Sequence, residues 1–219
     1  MKAMLLAAGR GSRLKPLTDQ VPKPLLQVGS QSLIEHNVRS LAAIGIRNII
    51  INVCHLAKQI IEHLGTGDRY GVRIEYSFEK DSPMGTGGGI YQALPLLGDE
   101  PFIIMSADIW TDFSFDRSFL DAKADAHLVF VENPIFHPKG DYALTPRGQV
   151  SHEGKKFTYA NIAKLHPKLF NECKPEVFPL PDIFDKAIKS DSATGELYKG
   201  AWFNVGTVEE LTRLRETVL

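Results

Sequence analysis

A glycine-rich segment near the amino terminus has the composition of a phosphate-binding loop. Residues 7–13 read Ala-Ala-Gly-Arg-Gly-Ser-Arg and follow a short apolar run. Glycines let backbone N–H groups approach a phosphate without a Cβ in the way, and the guanidinium of Arg13 matches the geometry of phosphate oxygens. Leu14 stands where a dinucleotide-binding loop needs a small residue, and the Gly-Lys-Ser/Thr of a Walker A loop is absent. Two interpretations therefore remain, a phosphate-binding loop and an ordinary strand-to-helix turn.

Two single charged residues follow at positions where they could assist phosphate chemistry. Lys23 lies between Pro22 and Pro24, and the two prolines restrict the backbone on either side and aim the cation in one direction. Asp108 follows a predicted buried strand, where a carboxylate is a suitable ligand for Mg²⁺ bound together with phosphates and water. The alternatives are a solvated surface lysine and a turn aspartate, which describes Asp112 better than Asp108.

A second glycine-rich segment, Met84–Gly89, precedes a predicted helix. Four of the five residues from Gly85 to Gly89 are glycine, which indicates a backbone that passes very close to a flat or charged group. A nucleobase or ribose is the natural candidate for that group. The alternative interpretation is a flexible loop.

These motifs lie at the ends of strands in a chain whose predicted strands and helices alternate. We predict strands at 2–7, 48–53, 72–78, 101–105 and 127–131, and helices at 33–43, 57–64 and 89–97, the last interrupted near Pro95. Continuous apolar strands separated by helices are typical of a mostly parallel, mixed sheet with helices on both faces, a three-layer α/β/α arrangement. Ligands bind beyond the carboxyl ends of such strands.

The second half of the chain is less regular. Tyr142–Leu144 and Gln149–Ser151 flank a Pro-Arg-Gly turn, which indicates a hairpin. Further strands are predicted at 160–165, 196–198 and 202–205, and helices at 181–189 and 208–218. Without a visible linker or repeat, residues 1–219 are predicted to form one domain.

The charge balance excludes several classes of partner. The chain has 25 Lys and Arg against 26 Asp and Glu, a formal net charge of −1, which argues against a nucleic-acid-binding protein. The early apolar run at 3–8 is too short for a secretory signal, and no stretch approaches the roughly 20 apolar residues of a membrane span. Cys54 and Cys173 suggest no disulfide framework. We expect a cytoplasmic monomer or small homo-oligomer without nucleic-acid or membrane partners.

Taken together, the motifs resemble those of the sugar-1-phosphate nucleotidyltransferase family. The family's opening pattern, which runs from Leu-Ala-Ala-Gly through Pro-Leu-Thr to Pro-Lys-Pro-Leu, is matched from Leu6 to Leu25, and the resemblance continues through Gly85–Gly89, Asp108 and Trp202–Thr207. Within the family, Ala93–Asp99, Ile109–Asp112 and Gly140-Asp141 are most similar to segments of bacterial N-acetylmuramate α-1-phosphate uridylyltransferases, which recycle peptidoglycan sugar into UDP-N-acetylmuramate.

The resemblance implies a Rossmann-like nucleotidyltransferase fold, with a nucleotide-binding part at 1–131 and a sugar-phosphate-binding part plus C-terminal helix at 132–219. The implied reaction joins a sugar 1-phosphate, first of all N-acetylmuramate 1-phosphate, to an NTP, first of all UTP, with release of pyrophosphate. A phosphomonoester is already mostly ionised at neutral pH, so no general base is needed. The enzyme's task is to position two polyanions and stabilise their charge.

The resemblance also implies roles for individual residues. Arg13, Lys23 and Asp108 would be catalytic: Arg13 would hold the β/γ-phosphates with the backbone of residues 9–12, Lys23 would bridge the reacting phosphates, and Asp108 would hold Mg²⁺. The implied nucleotide-binding set also contains Ala7, Ala8, Gly9, Gly11, Ser12, Glu79 and Gly88. The implied sugar-phosphate-binding set is Gly140, Asn161 and Trp202.

Asn204 departs from the family pattern, because the family usually has a second metal-binding aspartate there. An amide oxygen can still ligate Mg²⁺ but carries no formal charge, so the ion should be held less tightly. Three interpretations remain: an active enzyme with weaker magnesium dependence, a weakened catalyst that acts as a nucleotide-binding sensor, or an enzyme adapted to another metal. The presence of Arg13 and Lys23 favours the first.

Other activities remain as alternatives or are disfavoured. A mannose-1-phosphate guanylyltransferase, or another hexose-1-phosphate nucleotidyltransferase, is an alternative because relatives that make GDP-mannose share the opening pattern. A nucleotide-sugar glycosyltransferase is disfavoured because Asp108-Ile109-Trp110 lacks a second aspartate. An NAD-dependent enzyme is disfavoured by Leu14 and by the lack of an acidic residue in Val53-Cys54-His55.

Overall fold

The computed structural model describes residues 1–79 and 84–218. In these ranges the strands are β1 (Ala3–Leu6), β2 (Gln27–Val28), β3 (Gln31–Ser32), β4 (Asn48–Val53), β5 (Arg73–Phe78), β6 (Phe102–Ser106), β7 (Ile109–Thr111), β8 (Ala126–Val131), β9 (Tyr142–Leu144), β10 (Val150–Ser151), β11 (Lys156–Leu165), β12 (Ala193–Leu197) and β13 (Trp202–Asn204). The α-helices are α1 (Leu17–Gln20), α2 (Leu33–Ala43), α3 (Ala57–Leu64), α4 (Gly85–Leu97), α5 (Arg117–Leu120), α6 (Pro181–Lys189) and α7 (Val208–Val218).

The central sheet is mixed, as predicted. Its path runs β10-β9-β11-β6-β1-β4-β5, and β8 joins β11 on one side and β12 on the other. The strands β6, β1, β4 and β5 are parallel to their neighbours in this group, whereas β11 runs antiparallel to β6, β8 and β9. The carboxyl ends of the four parallel strands therefore meet at one edge of the sheet.

The sheet separates two hydrophobic cores, which confirms the three-layer arrangement. Side chains alternate along β1: Ala3 and Leu5 pack in the core that contains α2 and α3, whereas Met4 packs in the core that contains α4 and α6. This alternation follows from the two-residue side-chain period of a strand. Both faces of the central strands are buried, which explains their continuous apolar sequences.

A third, smaller core joins the two ends of the chain. Leu211 and Leu214 of α7 pack with Leu14, Leu33 and Val205. In the same region β13 pairs with β7 in a separate two-stranded sheet. The predicted strand at 202–205 is thus present at Trp202–Asn204, but it lies outside the central sheet. Its pairing with β7 brings the C-terminal part of the chain next to the loop that follows β6.

The element boundaries agree with the sequence predictions in most of the chain. The helices at 33–43, 57–64, 181–189 and 208–218, the strand at 48–53 and the β9–β10 hairpin are all confirmed. The prediction for α4 was wrong in two respects, because the helix begins four residues earlier and continues through Pro95 to Leu97. No helix in the described ranges has the length and apolar character needed to cross a bilayer.

The start of α2 shows how local sequence signals determine a boundary. Ser32 and Glu35 form a capping box, in which the Ser32 hydroxyl accepts from the Glu35 amide and the Glu35 carboxylate accepts from the Ser32 amide. Glu35 also accepts a hydrogen bond from the Tyr70 hydroxyl at 2.8 Å. Partial burial alone would raise the pKa of Glu35, but these hydrogen bonds outweigh it and lower the pKa to about 2.

We expect Glu35→Gln to lower stability at pH 7, because glutamine keeps the capping geometry but loses the charge that these donors stabilise. Since the folded-state pKa is about 2 and the ordinary value is 4.5, the contribution of Glu35 is fully present above about pH 5 and is lost as the pH falls towards 2. Urea unfolding of both proteins between pH 7 and pH 3.5 measures the difference in unfolding free energy. A difference that stays constant or grows on acidification would contradict this account.

Candidate active site

The carboxyl ends of β1, β4, β5 and β6 surround a cavity of about 240 Å³. Most of the residues that the sequence assigns to the nucleotide lie in its wall, namely Ala7, Ala8, Gly9, Lys23, Glu79 and Asp108. The wall also contains Asn52, Ser106 and the first residues of α4, Gly85 and Thr86. We call this space the smaller cavity. Its place beyond the strand ends is where open α/β sheets bind ligands.

An ion pair between Lys23 and Asp108 lies in the smaller cavity. The Lys23 ammonium donates to Oδ2 of Asp108, and the Ser106 hydroxyl donates to Oδ1 at 2.6 Å. The Lys23 side chain is 10% exposed and that of Asp108 is 26% exposed. Lys23 starts a single 3₁₀ turn, Lys23–Leu25, directly after Pro22. The two charges therefore occupy defined positions at the boundary between protein and solvent.

Asn52, which the sequence analysis did not identify, connects three walls of this cavity. Its Oδ1 accepts from the Ala7 amide at 2.8 Å, and its Nδ2 donates to Oε1 of Glu79 at 2.5 Å. The other Glu79 oxygen accepts from the Met84 amide at 2.7 Å, directly before α4. Asn52 and Glu79 are both buried. The available signal was the asparagine itself, a buried polar residue near the end of an otherwise apolar strand.

Helix α1 packs against the loop at 9–13 through Thr18. Gly11 has a φ of +64°, and a Cβ there would lie 2.9 Å from Cγ2 of Thr18 and 3.2 Å from Cβ of Lys23. The Thr18 hydroxyl donates to the Gly11 carbonyl at 2.9 Å. In the described part of the chain, the amides of Gly9 and Gly11 have no acceptor. The loop thus offers N–H donors to a ligand, although Gly11 and Ser12 are not in the wall of the smaller cavity.

The structure corrects the interpretation of the glycines at 85–89. They form the first turns of α4 and not a loop, and a Cβ at Gly88 would lie 2.6 Å from the Glu176 carbonyl. A Cβ at Gly87 would overlap the Phe178 ring, and one at Gly89 would overlap the Glu79 carboxylate. The Gly87 and Gly88 amides both donate to the Phe178 carbonyl. The close neighbours are therefore protein groups, and Gly88 is not in the cavity wall.

A larger cavity of about 740 Å³ adjoins the smaller one and shares Leu6, Thr86 and Ser106 with it. Its wall contains all three residues assigned to the sugar phosphate, Gly140, Asn161 and Trp202, together with Arg13 and Asn204. These residues come from both ends of the chain and from its middle. We call this space the larger cavity.

Asn161 lies at a β-bulge that faces the larger cavity. The register of β11 against β8 shifts between Tyr159 and Ala163, and Asn161 has a φ of +60°. The indole nitrogen of Trp202 donates to the Ala160 carbonyl at 2.9 Å, so the bulge also fixes the tryptophan. Bulges and residues with positive φ are enriched next to functional sites because they redirect side chains.

Several residues of the larger cavity were not identified from the sequence. Asp141 accepts from the Tyr159 amide at 2.8 Å, and Tyr142 donates to Asp185 at 3.2 Å. Burial, with a further contribution from Asp185, raises the pKa of Tyr142 above its ordinary range, so its hydroxyl stays a neutral donor. His137 and His152 complete this end of the cavity. Such scattered polar residues in an irregular region carry no recognisable spacing.

Backbone contacts bring together the two residues that the sequence assigns to the metal, Asp108 in the wall of the smaller cavity and Asn204 in the wall of the larger one. Asn204 pairs with Ile109 across β13 and β7, and the Val205 amide donates to the Asp108 carbonyl at 3.1 Å. Asn204 therefore lies beside Asp108. The described residues contain no cluster of three or more His, Cys, Asp or Glu suited to a metal. A carboxylate with an amide fits Mg²⁺, which commonly has few protein ligands.

Comparison with known proteins identifies the family. Residues 2–142 match the Nucleotidyl transferase family. The chain belongs to this family. Over 99% of its length, this nucleotidyl transferase is 40% identical to N-acetylmuramate alpha-1-phosphate uridylyltransferase of Neisseria meningitidis serogroup B, of which 96% is covered. It is 31% identical to the Caulobacter vibrioides protein of the same name, with 93% of this chain and 91% of the relative covered.

More distant similarities agree with the fold. The nucleotidyl transferase is 29% identical to a mannose-1-phosphate guanyltransferase of Yarrowia lipolytica, with 94% of this chain but 61% of the relative covered. Its structure superposes with a TM-score of 0.82 on the crystal structure of HddC from Yersinia pseudotuberculosis. The two sequences are 20% identical, and the superposition covers 99% of this chain and 98% of HddC. At that identity the similarity establishes the fold alone.

The packing of α4 predicts the effect of Gly89→Ala. A glycine-to-alanine change inside a helix ordinarily stabilises by up to about 1 kcal/mol. At Gly89 the new methyl group would overlap the Glu79 carboxylate and lie 2.9 Å from Nδ2 of Asn52, so we expect a loss of about 1–3 kcal/mol. Urea unfolding measures the change. A gain in stability would contradict this prediction, because it would show that Asn52 and Glu79 can move aside without loss of folding free energy.

Proposed function

We propose that this chain is an N-acetylmuramate 1-phosphate uridylyltransferase that converts UTP and the sugar phosphate into UDP-N-acetylmuramate and pyrophosphate. The main structural support for this proposal is the Lys23–Asp108 ion pair, which lies in a cavity that adjoins a second cavity large enough for a sugar. The two relatives of that name, similar over nearly the whole chain, support these substrates. A role in peptidoglycan recycling and a cytoplasmic location follow from that reaction.

In this proposal the smaller cavity receives the nucleoside. Ala7, Ala8 and Gly9 form one wall with little side-chain bulk, and Glu79 lies in the wall as well. Both Glu79 oxygens already accept hydrogen bonds from Asn52 and Met84. Glu79 therefore serves first to hold α4 against β4, and it shapes the nucleoside site through that contact.

The triphosphate extends from the smaller cavity towards Arg13. The exposed amides of the loop at 9–13 and the Arg13 guanidinium supply donors for the β- and γ-phosphates, as a nest of N–H groups does in other phosphate sites. Arg13 lies against Gly206, where a Cβ would come 3.2 Å from one guanidinium nitrogen. The C-terminal part of the chain thus limits the positions that Arg13 can occupy.

The reaction itself is an in-line displacement. An oxygen of the sugar phosphate attacks the α-phosphorus, the bond from that phosphorus to the bridging α–β oxygen breaks, and pyrophosphate leaves. Lys23 neutralises charge on the reacting phosphates, and its pairing with Asp108 keeps the ammonium in the cavity before substrate binds. Positioning and electrostatic stabilisation supply the acceleration, since the nucleophile is already ionised.

Asp108 and Asn204 would hold a magnesium ion, which would neutralise charge on the triphosphate when bound. Oxygen donors of this kind suit Mg²⁺, and the Ser106 hydroxyl orients the Asp108 carboxylate at 2.6 Å. With one carboxylate in place of two, the protein contributes less negative charge to the ion. We therefore propose an active enzyme that needs more magnesium than one with two aspartates.

The guanyltransferase similarity supports a second candidate, transfer of GMP to mannose 1-phosphate. A panel of UTP, dTTP, GTP and ATP against N-acetylmuramate, N-acetylglucosamine, glucose and mannose 1-phosphates decides between the candidates through pyrophosphate release. If the protein binds a nucleotide but releases pyrophosphate with none of these substrate pairs, it is a nucleotide-binding sensor.

Replacing the proposed phosphate-binding lysine tests the catalytic assignment. We expect Lys23→Ala to lower kcat by roughly 10²–10³ because a charge directed at the reacting phosphates is lost. Lys15→Ala is the matched control, since Lys15 is exposed and pairs with Asp19 at 3.1 Å. Pyrophosphate release with UTP and N-acetylmuramate 1-phosphate provides the rate. Equal rates for Lys23→Ala and Lys15→Ala would refute the assignment.

The charge of residue 204 tests the metal site. We expect Asn204→Asp to lower the Mg²⁺ concentration that gives half-maximal rate, because a second carboxylate strengthens cation binding. Asn171→Asp adds the same charge at an exposed turn and is the control. A magnesium titration at saturating substrates provides the comparison. If the requirement is unchanged or higher, Asn204 does not contact the ion.

A further inference from the structure

A third cavity of about 730 Å³ adjoins the larger cavity and shares no wall residue with the smaller one. The two spaces share Phe136, Trp202 and Asn204. The walls of this side cavity are the turn that follows β8, the segment at 198–204 and one face of α7. A substituent on a sugar in the larger cavity can therefore enter it without leaving the protein surface.

The acidic and basic residues that line the side cavity differ in how they are paired. Its two acidic residues are engaged elsewhere: Glu210 accepts from the Gly206 amide at 2.6 Å and the Thr207 amide at 2.9 Å, and Glu132 pairs with Lys155 at 3.5 Å. Its two basic residues, Lys199 and Arg213, have no acidic partner within 4.0 Å among residues 1–79 and 84–218. The wall thus offers two cations that could pair with a carboxylate of a ligand.

The far end of the larger cavity has the opposite character. Its histidines already face carboxylates, His137 with Asp141 at 3.0 Å and His152 with Asp185 at 3.5 Å. A negatively charged substituent placed there would meet both carboxylates. In the side cavity the same substituent could pair with Lys199 or Arg213, whereas Glu132 and Glu210 there already accept from other groups.

The side cavity also offers apolar surface beside its cations. The Arg213 guanidinium lies over the Phe203 ring, 6.0 Å from its centroid, so the ring helps to position it. Phe136 is 54% exposed at the boundary between the two cavities. Aromatic surface next to an arginine suits a small group that combines a carboxylate with an alkyl part.

We propose that Arg213, supported by Lys199, binds the carboxylate of an acidic ether substituent on the sugar and so selects hexosamine 1-phosphates that carry one. The inference rests on the proposed function, which places the sugar ring in the larger cavity. N-acetylmuramate has such a substituent, a lactyl ether. N-acetylglucosamine is the same sugar without the ether.

Binding of the two product sugar nucleotides isolates this contact, because UDP-N-acetylmuramate and UDP-N-acetylglucosamine differ only in the lactyl ether. Isothermal titration calorimetry of the full chain gives both dissociation constants without turnover. We expect Arg213→Ala to weaken binding of UDP-N-acetylmuramate about tenfold, as for the loss of a charge-assisted hydrogen bond, and to leave UDP-N-acetylglucosamine unchanged. Arg213→Lys should keep part of the preference, since it keeps the charge.

Arg215→Ala is the matched control. Arg215 lies on the same helix, but its Nε donates to the Gln27 carbonyl at 2.9 Å and it is not in the wall of the side cavity. Equal affinities of the wild type for the two sugar nucleotides, or an equal loss for both in Arg213→Ala, would overturn the carboxylate site while leaving the proposed function intact. A wild type that releases no pyrophosphate from UTP with any sugar 1-phosphate would overturn the proposed function as well.

Discussion

Lys23 and Asp108 form an ion pair although 85 residues separate them in the sequence. Both charges are largely withdrawn from solvent, and such pairs contribute little net stability because desolvation offsets their attraction. Their value lies in position: the cation and the carboxylate are held side by side at the ends of β1 and β6 before any substrate arrives. In the proposed reaction each charge has a phosphate or a cation to bind, so the pair keeps both ready in one place.

The arrangement depends on a second set of buried polar contacts behind it. Asn52 ties the end of β1 to Glu79, and Glu79 ties the end of β5 to the start of α4. The glycines of α4 allow this approach, because side chains there would displace Glu79, Phe178 or the backbone at Glu176. Glycine ordinarily weakens a helix. In α4, close packing of the glycines against other segments compensates for their low helix propensity.

The larger cavity, which we propose holds the sugar, is built from less regular structure. The bulge at Asn161, the β13–β7 pair and the connection from β8 to β9 bring Gly140, Asn161, Trp202 and Asn204 around one space. The side cavity lies next to the larger one at β13, and its two cations come from α7 and from the segment before β13. The larger cavity is thus formed mainly by elements of the second half of the chain, although Arg13 also reaches it.

Elements whose signals lie within a few residues, and short motifs of unusual composition, could be predicted from the amino-acid sequence. Helix α2 is predicted at its observed bounds because its apolar spacing is a local signal, and the Ser32–Glu35 capping box that starts it in the structure is local as well. The loop at 9–13, Lys23 and Asp108 are recognisable because their residue types are unusual at strand ends.

Contacts between distant parts of the chain became visible only in the folded protein. It placed Asn204 beside Asp108 through a strand pair outside the central sheet, gave the α4 glycines protein neighbours, and left Arg213 without an acidic partner in the described ranges. The physical reason is that capping and periodicity act within a few residues. Burial, charge neutralisation and cavity shape arise between segments far apart in the chain.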